Sequence, residues 1–360
     1  MDYKAEVQTK LDQLRSLMAE HGLGALWLRR IDNFAWLTGG IDTAINVADI
    51  AGGPSILVTP DAATVWTNRI EAPRLDADGL SARGFDLHVS AWEAEEAPHP
   101  AGRFGTDIAH AGASDVSGDL QALRLTLSEN EQQRFRALGA DCAKAMDAAI
   151  KRVQPGQTEA EIGGGVADEL RRYNITPVVV LIATDERIFK FRHPLPTMKT
   201  LDKYAMLVLC GRREGLVCSV TRLVHFGPIN DDLRHRIEAC TEIDARITAA
   251  SRPGQTLDDM FKTITEAYAA VGFADEWQLH HQGGLAAYNP REIIAMPGDA
   301  TTIKPGMICA WNPSITGSKV EDTILVTDGA PEILTAIPGW PTKSFTIDGV
   351  TYARPVILEK

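Results

Sequence analysis

Cysteine is scarce in this chain. Five Cys in 360 residues (Cys142, Cys210, Cys218, Cys240, Cys309) are scattered and odd in number, with no Cys-x-x-Cys pair. That excludes a disulfide framework and a structural zinc ribbon. Basic charge is short too: 36 Lys and Arg against 48 Asp and Glu leave a net charge of -12. Nucleic acid and anionic membrane surfaces call for the opposite sign, so neither is expected as a partner. Long apolar runs are missing. The run Pro177 to Ala183 is strand-length and cannot span a bilayer. The opening Met-Asp-Tyr-Lys-Ala-Glu-Val is polar and unlike a secretory signal. The expectation is a soluble, cytoplasmic protein.

What is present reads as an ordinary globular chain, 44% hydrophobic and 23% charged, long enough for two domains. Residues 4–22 carry Val7, Leu11, Leu14, Leu17 and Met18 at helical spacing, with Gly22 as a stop. Ala25 to Leu28 predicts a buried strand, and Ser55–Thr59 with Thr64–Thr67 a hairpin across Pro60-Asp61. Alternating strand and helix signals to about Leu125 predict a small α/β domain over 1–125.

From Leu127 the character changes. Ser128 and Glu131 spell a capping box, opening a long helix to about Val153. Then Pro155-Gly156-Gln157-Thr158 recurs as Pro253-Gly254-Gln255-Thr256, each copy after a long helix and before an amphipathic one. A repeat of this kind predicts two related halves about a pseudo-twofold axis over 126–360. The plainer alternative is two similar helix starts. The fold class expected for the whole chain is α+β.

Imidazole titrates near neutrality unaided. His193, in Arg192-His193-Pro194-Leu195-Pro196, is one of nine histidines that could serve as general acid and base. His281 precedes Gln282-Gly283-Gly284, and His280, beside it, points away if the segment is extended. Cys210 with His281 and Glu321 formally makes a nucleophile triad, although most intracellular Cys are small buried hydrophobes. Arg212-Arg213 sits at a hairpin turn and reads as solvated.

Several motifs carry a family resemblance across nearly the whole chain. They are Asn33-Phe34-Ala35-Trp36-Leu37-Thr38-Gly39, the hairpin Val208 to Arg222 ending in Thr221-Arg222, and Glu321-Asp322-Thr323-Ile324-Leu325-Val326-Thr327. Together they resemble the creatinase/aminopeptidase P/prolidase superfamily. The resemblance implies a "pita-bread" catalytic domain behind an N-terminal α/β domain, usually paired as a homodimer. It also implies five ligands for two metal ions: two Asp, a His and two Glu. At those places this chain has Val208, Ser219, His281, Asn312 and Glu321, with Tyr288 where a further His is expected. One imidazole and one carboxylate cannot hold two divalent ions, so no metal and no cofactor is expected. A Cys210/His281/Glu321 site for one ion is the alternative.

Creatinase is the metal-free precedent, and His193 resembles its His-x-x-Pro element. On this reading His193, His281 and Glu321 are catalytic, with Glu321 orienting His281 or binding a cationic group. Ser219, Arg222, Asn312, Cys210 and Tyr288 line the substrate. Arg30, beside Asp32, reaches the partner subunit's pocket. The function implied is metal-independent hydrolysis of a C–N bond in a small polar amide, urea or guanidino compound, with a short peptide as the other substrate class. The alternatives are a non-catalytic binding protein and a Xaa-Pro metallopeptidase with atypical ligands.

Overall fold

The computed structural model describes residues 2–360, which divide into two compact units: 2–131 with 214–216, and 132–213 with 217–360.

The first unit opens with α1 (Tyr3–His21), started by Asp2, whose side chain accepts from the Ala5 amide, and ended by Gly22 at φ 62°. Gly22 suits that left-handed stop because it lacks a Cβ. Then come β1 (Ala25–Arg30), α2 (Ile31–Thr38), β2 (Ala51–Val58), β3 (Ala63–Asn68), α3 (Ala72–Ala77), β4 (Asp86–Ser90), β5 (Phe104–Thr106), β6 (Ser114–Asp115) and α4 (Ser117–Arg124). The strands form one mixed sheet in the order β4-β3-β2-β1-β5-β6. β2 and β3 pair antiparallel from Ser55↔Trp66 to Val58↔Ala63, the hairpin that Pro60-Asp61 predicts. Leu26, Leu28, Ile56 and Val65 are fully buried in this unit.

The second unit is built from two halves. The first runs α5 (Glu129–Arg152), α6 (Glu159–Arg171), β7 (Thr176–Thr184), α7 (Glu186–Lys190), β8 (Tyr204–Arg213) and β9 (Leu216–His225). The second runs α8 (Asp231–Ala250), α9 (Leu257–Ala270), β10 (Gly283–Ala286), β11 (Ile293–Ile294), β12 (Ile308–Trp311), β13 (Ser314–Ile315), β14 (Ser318–Lys319), β15 (Asp322–Leu325) and β16 (Glu332–Ile333). β17 (Thr342–Ile347), β18 (Val350–Pro355) and β19 (Leu358–Glu359) follow, and β19 joins the edge of the first half's sheet, ordered β19-β9-β8-β7. The second half's sheet is ordered β11-β10-β12-β15-β16.

The recurring Pro-Gly-Gln-Thr turns do the same job twice. Thr158 closes a capping box with Glu161, and Thr256 closes one with Asp259. Gly156 donates to the Leu201 carbonyl (2.8 Å) and Gly254 to the Ile303 carbonyl (3.0 Å), and each turn bridges a later threonine, Thr158↔Thr200 and Thr256↔Thr302. Matching local chemistry anchored to equivalent isolated bridges is what duplication predicts, and coincidence between helix starts does not account for the matching long-range bonds. Ser128 and Glu131 likewise make the expected reciprocal cap at the head of α5.

Candidate functional site

A cavity of about 280 Å³ lies within the second unit, lined by Val179, Leu181, His193, Val208, Cys210, His281, Pro290, Arg291, Asn312, Lys319 and Glu321. The inner walls come from β7 and β8, which present alternate residues to one face: Val179 with Leu181, and Val208 with Cys210. The His281 segment enters the sheet at Gly283-Gly284. A Cβ on Gly283 would collide with the Ala310 carbonyl and one on Gly284 with the Ile293 carbonyl, so β10 can lie this close to both neighbours only without side chains there. Lys319 and Glu321 are two residues apart and share the cavity face.

Glu321 is the electrostatic centre. Its Oε1 accepts from Arg291 Nη2 (2.8 Å), and its Oε2 accepts from Thr221 Oγ1 (2.5 Å) and pairs with Lys319 Nζ (3.2 Å). Burial alone raises a carboxyl pKa, but the charges of Lys319 and Arg291 and the bonds from Thr221 and Arg291 outweigh it and hold Glu321 down at about 2. Glu321 is therefore an ion-pair anchor. It makes no bond to His281, correcting the expectation that it orients that ring.

Three histidines gather beside this cluster, their ligating nitrogens all within 4.8 Å of one another: His193, His280 and His281. His193 is exposed at the rim, and its Nε2 lies 3.0 Å from His280 Nε2. Burial, reinforced by Lys319, lowers His193 below its ordinary value. Burial and the same lysine push His280 to about 2, and burial with Arg291 pushes His281 to about 4. All three imidazoles are neutral at pH 7. His280 does not point away as expected. A 3₁₀ turn (Glu276–Leu279) precedes it and the strand starts only at Gly283, so strand alternation does not apply.

Other expected residues divide sharply. Asn312 lines the cavity, its buried Oδ1 without a partner. Ser219 is fully buried behind the wall, with its Oγ 3.1 Å from Cys210 Sγ and 3.4 Å from Arg291 Nη1. Cys210 lines the cavity, but burial raises its thiol to about 11, which removes the thiolate that a nucleophile needs. Tyr288 is buried (3% exposed) and is not among the lining residues. Arg222 does not face an anion in the cavity. Its guanidinium reaches Asp322 (2.8 Å) and the carbonyls of Thr221, Glu321 and Thr335. Arg213 pairs with Asp141 (2.8 Å) and Arg212 is buried, so that pair is not solvated. Arg30, in the first unit, pairs with Asp32 at 2.8 Å.

The sequence reading missed Arg291 and Lys319 altogether. Lys319 carried a signal, since it lies two residues before Glu321 and lines the same cavity. Arg291 carried none, because it comes from a loop ten residues beyond His281.

The metallopeptidase family M24 pattern matches residues 133–328, more than half of the chain. The chain belongs to family M24. An uncharacterized peptidase of Staphylococcus haemolyticus is 23% identical over 239 residues, covering 63% of this chain and 67% of that protein. A similar peptidase of Staphylococcus epidermidis, 22% identical, is covered to 65% of its length, so the chain spans about two thirds of these relatives. Among solved structures, a prolidase from Pyrococcus horikoshii superposes with a TM-score of 0.77 at 18% identity, covering 91% of this chain and 98% of that one. A Xaa-Pro dipeptidase from Bacillus anthracis gives 0.77 at 17% identity, covering 98% and 100%. The fold is thus the M24 pita-bread fold of a peptidase-like hydrolase.

A metallopeptidase family implies metal, and the donors of this M24 cavity do not fit a pair of ions. Val208 offers no ligand atom, Ser219 and Asn312 are neutral, and both oxygens of Glu321 already face fixed cations. Two dications placed there would meet Lys319 and Arg291 with one carboxylate to offset them.

Proposed function

We propose that this M24 chain is a hydrolase that cleaves a C–N bond of a small polar amide or urea without the family's paired metal ions. The observation that carries the reading is that both oxygens of Glu321 are engaged by Arg291, Lys319 and Thr221. A ligand carboxylate so held is not available to a metal. His193 is the proton carrier. It is neutral at pH 7, stands at the cavity rim, and is oriented through its 3.0 Å contact with the buried His280. In the step inferred, water attacks the substrate carbon while His193 takes its proton. The C–N bond then breaks as His193 returns that proton to the leaving nitrogen.

Guanidino compounds drop out of the substrate class. Two fixed cations against one carboxylate leave the cavity net positive, which repels a guanidinium. The cavity's size suits a small molecule better than a long peptide. A dipeptidase reading is favoured by the fold of the prolidase and Xaa-Pro dipeptidase neighbours and opposed by the donor set. Pairing as a homodimer belongs with this reading, in line with the exposed Leu195, Met198, Leu279 and Met296 of the second unit. So does a cytoplasmic location, in line with five unpaired, buried Cys. No helix among the described residues is long and apolar enough to cross a membrane.

The test is turnover of a panel of small amides and ureas by chelator-stripped protein. Activity that survives stripping and falls by about 10²–10⁴ in His193→Ala supports the reading. Activity that vanishes with the metal and returns with added Mn²⁺ or Zn²⁺ sinks it.

A further inference from the structure

Proton transfer through His193 leaves part of the cavity unexplained. Lys319 has a side chain only 4% exposed, yet its ion pair with Glu321 is its one side-chain polar contact among the described residues. An ammonium carries three donors, so donors remain that nothing in the protein accepts. Three more polar atoms of cavity-lining residues are buried without partners: Arg291 Nε, Asn312 Oδ1 and His281 Nδ1. Buried polar groups in native proteins are nearly always bonded. Three orphans around one space of about 280 Å³ mark it as shaped for a polar occupant.

Charge says which kind. Lys319 and Arg291 face one carboxylate, and the adjoining wall of Val179, Leu181, Val208 and Pro290 is apolar, so little screens the excess positive charge. Glu321 holds both cations in place before anything binds, so they need not reorganise when an anion arrives.

Resting on the reading of this cavity as the reaction site, we propose that Lys319 and Arg291 are its anion-receiving pair, taking an anionic oxygen of the substrate where the family's paired ions do not fit. That oxygen has two sources with one chemistry. It is either a carboxylate that the substrate already carries or the oxyanion that develops on the carbonyl under attack. Both are met by charged N–H donors.

The experiment titrates the full, chelator-stripped chain calorimetrically with two probes. Acetate stands for a substrate carboxylate and inorganic phosphate for a tetrahedral oxyanion. One site per chain is expected. Lys319→Met should weaken it by at least about tenfold, as loss of a charged hydrogen bond requires. Lys319→Arg should retain it. Glu321→Gln should strengthen it, because the cavity then gains one net positive charge, an effect no purely structural role produces. Preference for acetate supports the pair with a carboxylate as its ligand, and preference for phosphate supports it with the developing oxyanion. Absence of binding to the native chain overturns the proposal, as does binding that neither Lys319→Met nor Glu321→Gln alters. If Lys319→Met does not fold, Lys319→Arg and Glu321→Gln decide. Loss of turnover on metal stripping would sink the metal-free reading alone and leave these titrations standing, so the two fail separately.

Discussion

Glu321 and Asp322 are neighbours on the chain, both 2% exposed, and they anchor two ion clusters of opposite design. On one side Asp322 accepts from Arg222 (2.8 Å), Arg354 (2.7 Å) and Thr335 (2.5 Å), and Arg354 also bonds Asp244. Two arginines alternate with two aspartates there, 1–2% exposed, and the charges balance. On the other side Glu321 faces two cations, the charges do not balance, and polar atoms are left unmet around open space. Charge balance in a closed core suits a strut, even with Arg222 Nε left unpartnered. Imbalance beside a cavity suits a site, where the missing charge arrives with the ligand. The lesson is that carboxylates one residue apart in a conspicuous motif can serve stability and chemistry separately.

The comparison breaks most visibly in stability. Asp322→Asn should cost about 3–5 kcal/mol, because it strands Arg222 and Arg354 inside the core. Glu321→Gln should cost less than half of that in the same denaturant melts, since cavity water can solvate Lys319 and Arg291. Equal costs would mean that Glu321 is simply another strut.

A smaller effect sharpens the electrostatics of the site. His281 is held at about 4 in the fold against an ordinary 6.5, so the unfolded chain takes up its proton first as pH falls. The stability it lends is complete above pH 6.5 and is lost as pH drops from 6.5 towards 4. Melting of the native protein over that window should fall more steeply than melting of His281→Gln. Activity should follow the lowered His193 and keep its acid limb below pH 6.5. An acid limb above 6.5 would point to a different proton carrier. The smallest effect expected is that of Cys210→Ser. With the thiol raised to about 11, turnover should stay within about threefold, whereas a nucleophilic Cys would lose nearly all of it.

Much of the fold was legible because its signals are local. The Pro-Gly-Gln-Thr turns, the Ser128 cap and the Pro60-Asp61 hairpin are written in adjacent residues, and the structure uses them as read. The site was legible only where a motif marked it, as at His193, His281, Asn312 and Glu321. Arg291 reaches Glu321 across thirty residues and two strand pairings, which no local period encodes. His280 was misplaced because the alternation rule was applied where no strand exists. Arg222 was read towards the cavity because its acceptors, Asp322 and the Thr335 carbonyl, come from distant parts of the chain.

Elemental analysis of the purified chain, produced with Mn, Co and Zn supplied, tests the central claim most directly. An M24 cavity whose remaining carboxylate is already ion-paired should hold no pair of metal ions, in native protein and Glu321→Gln alike. Two ions per chain, lost on Glu321→Gln, would contradict the account.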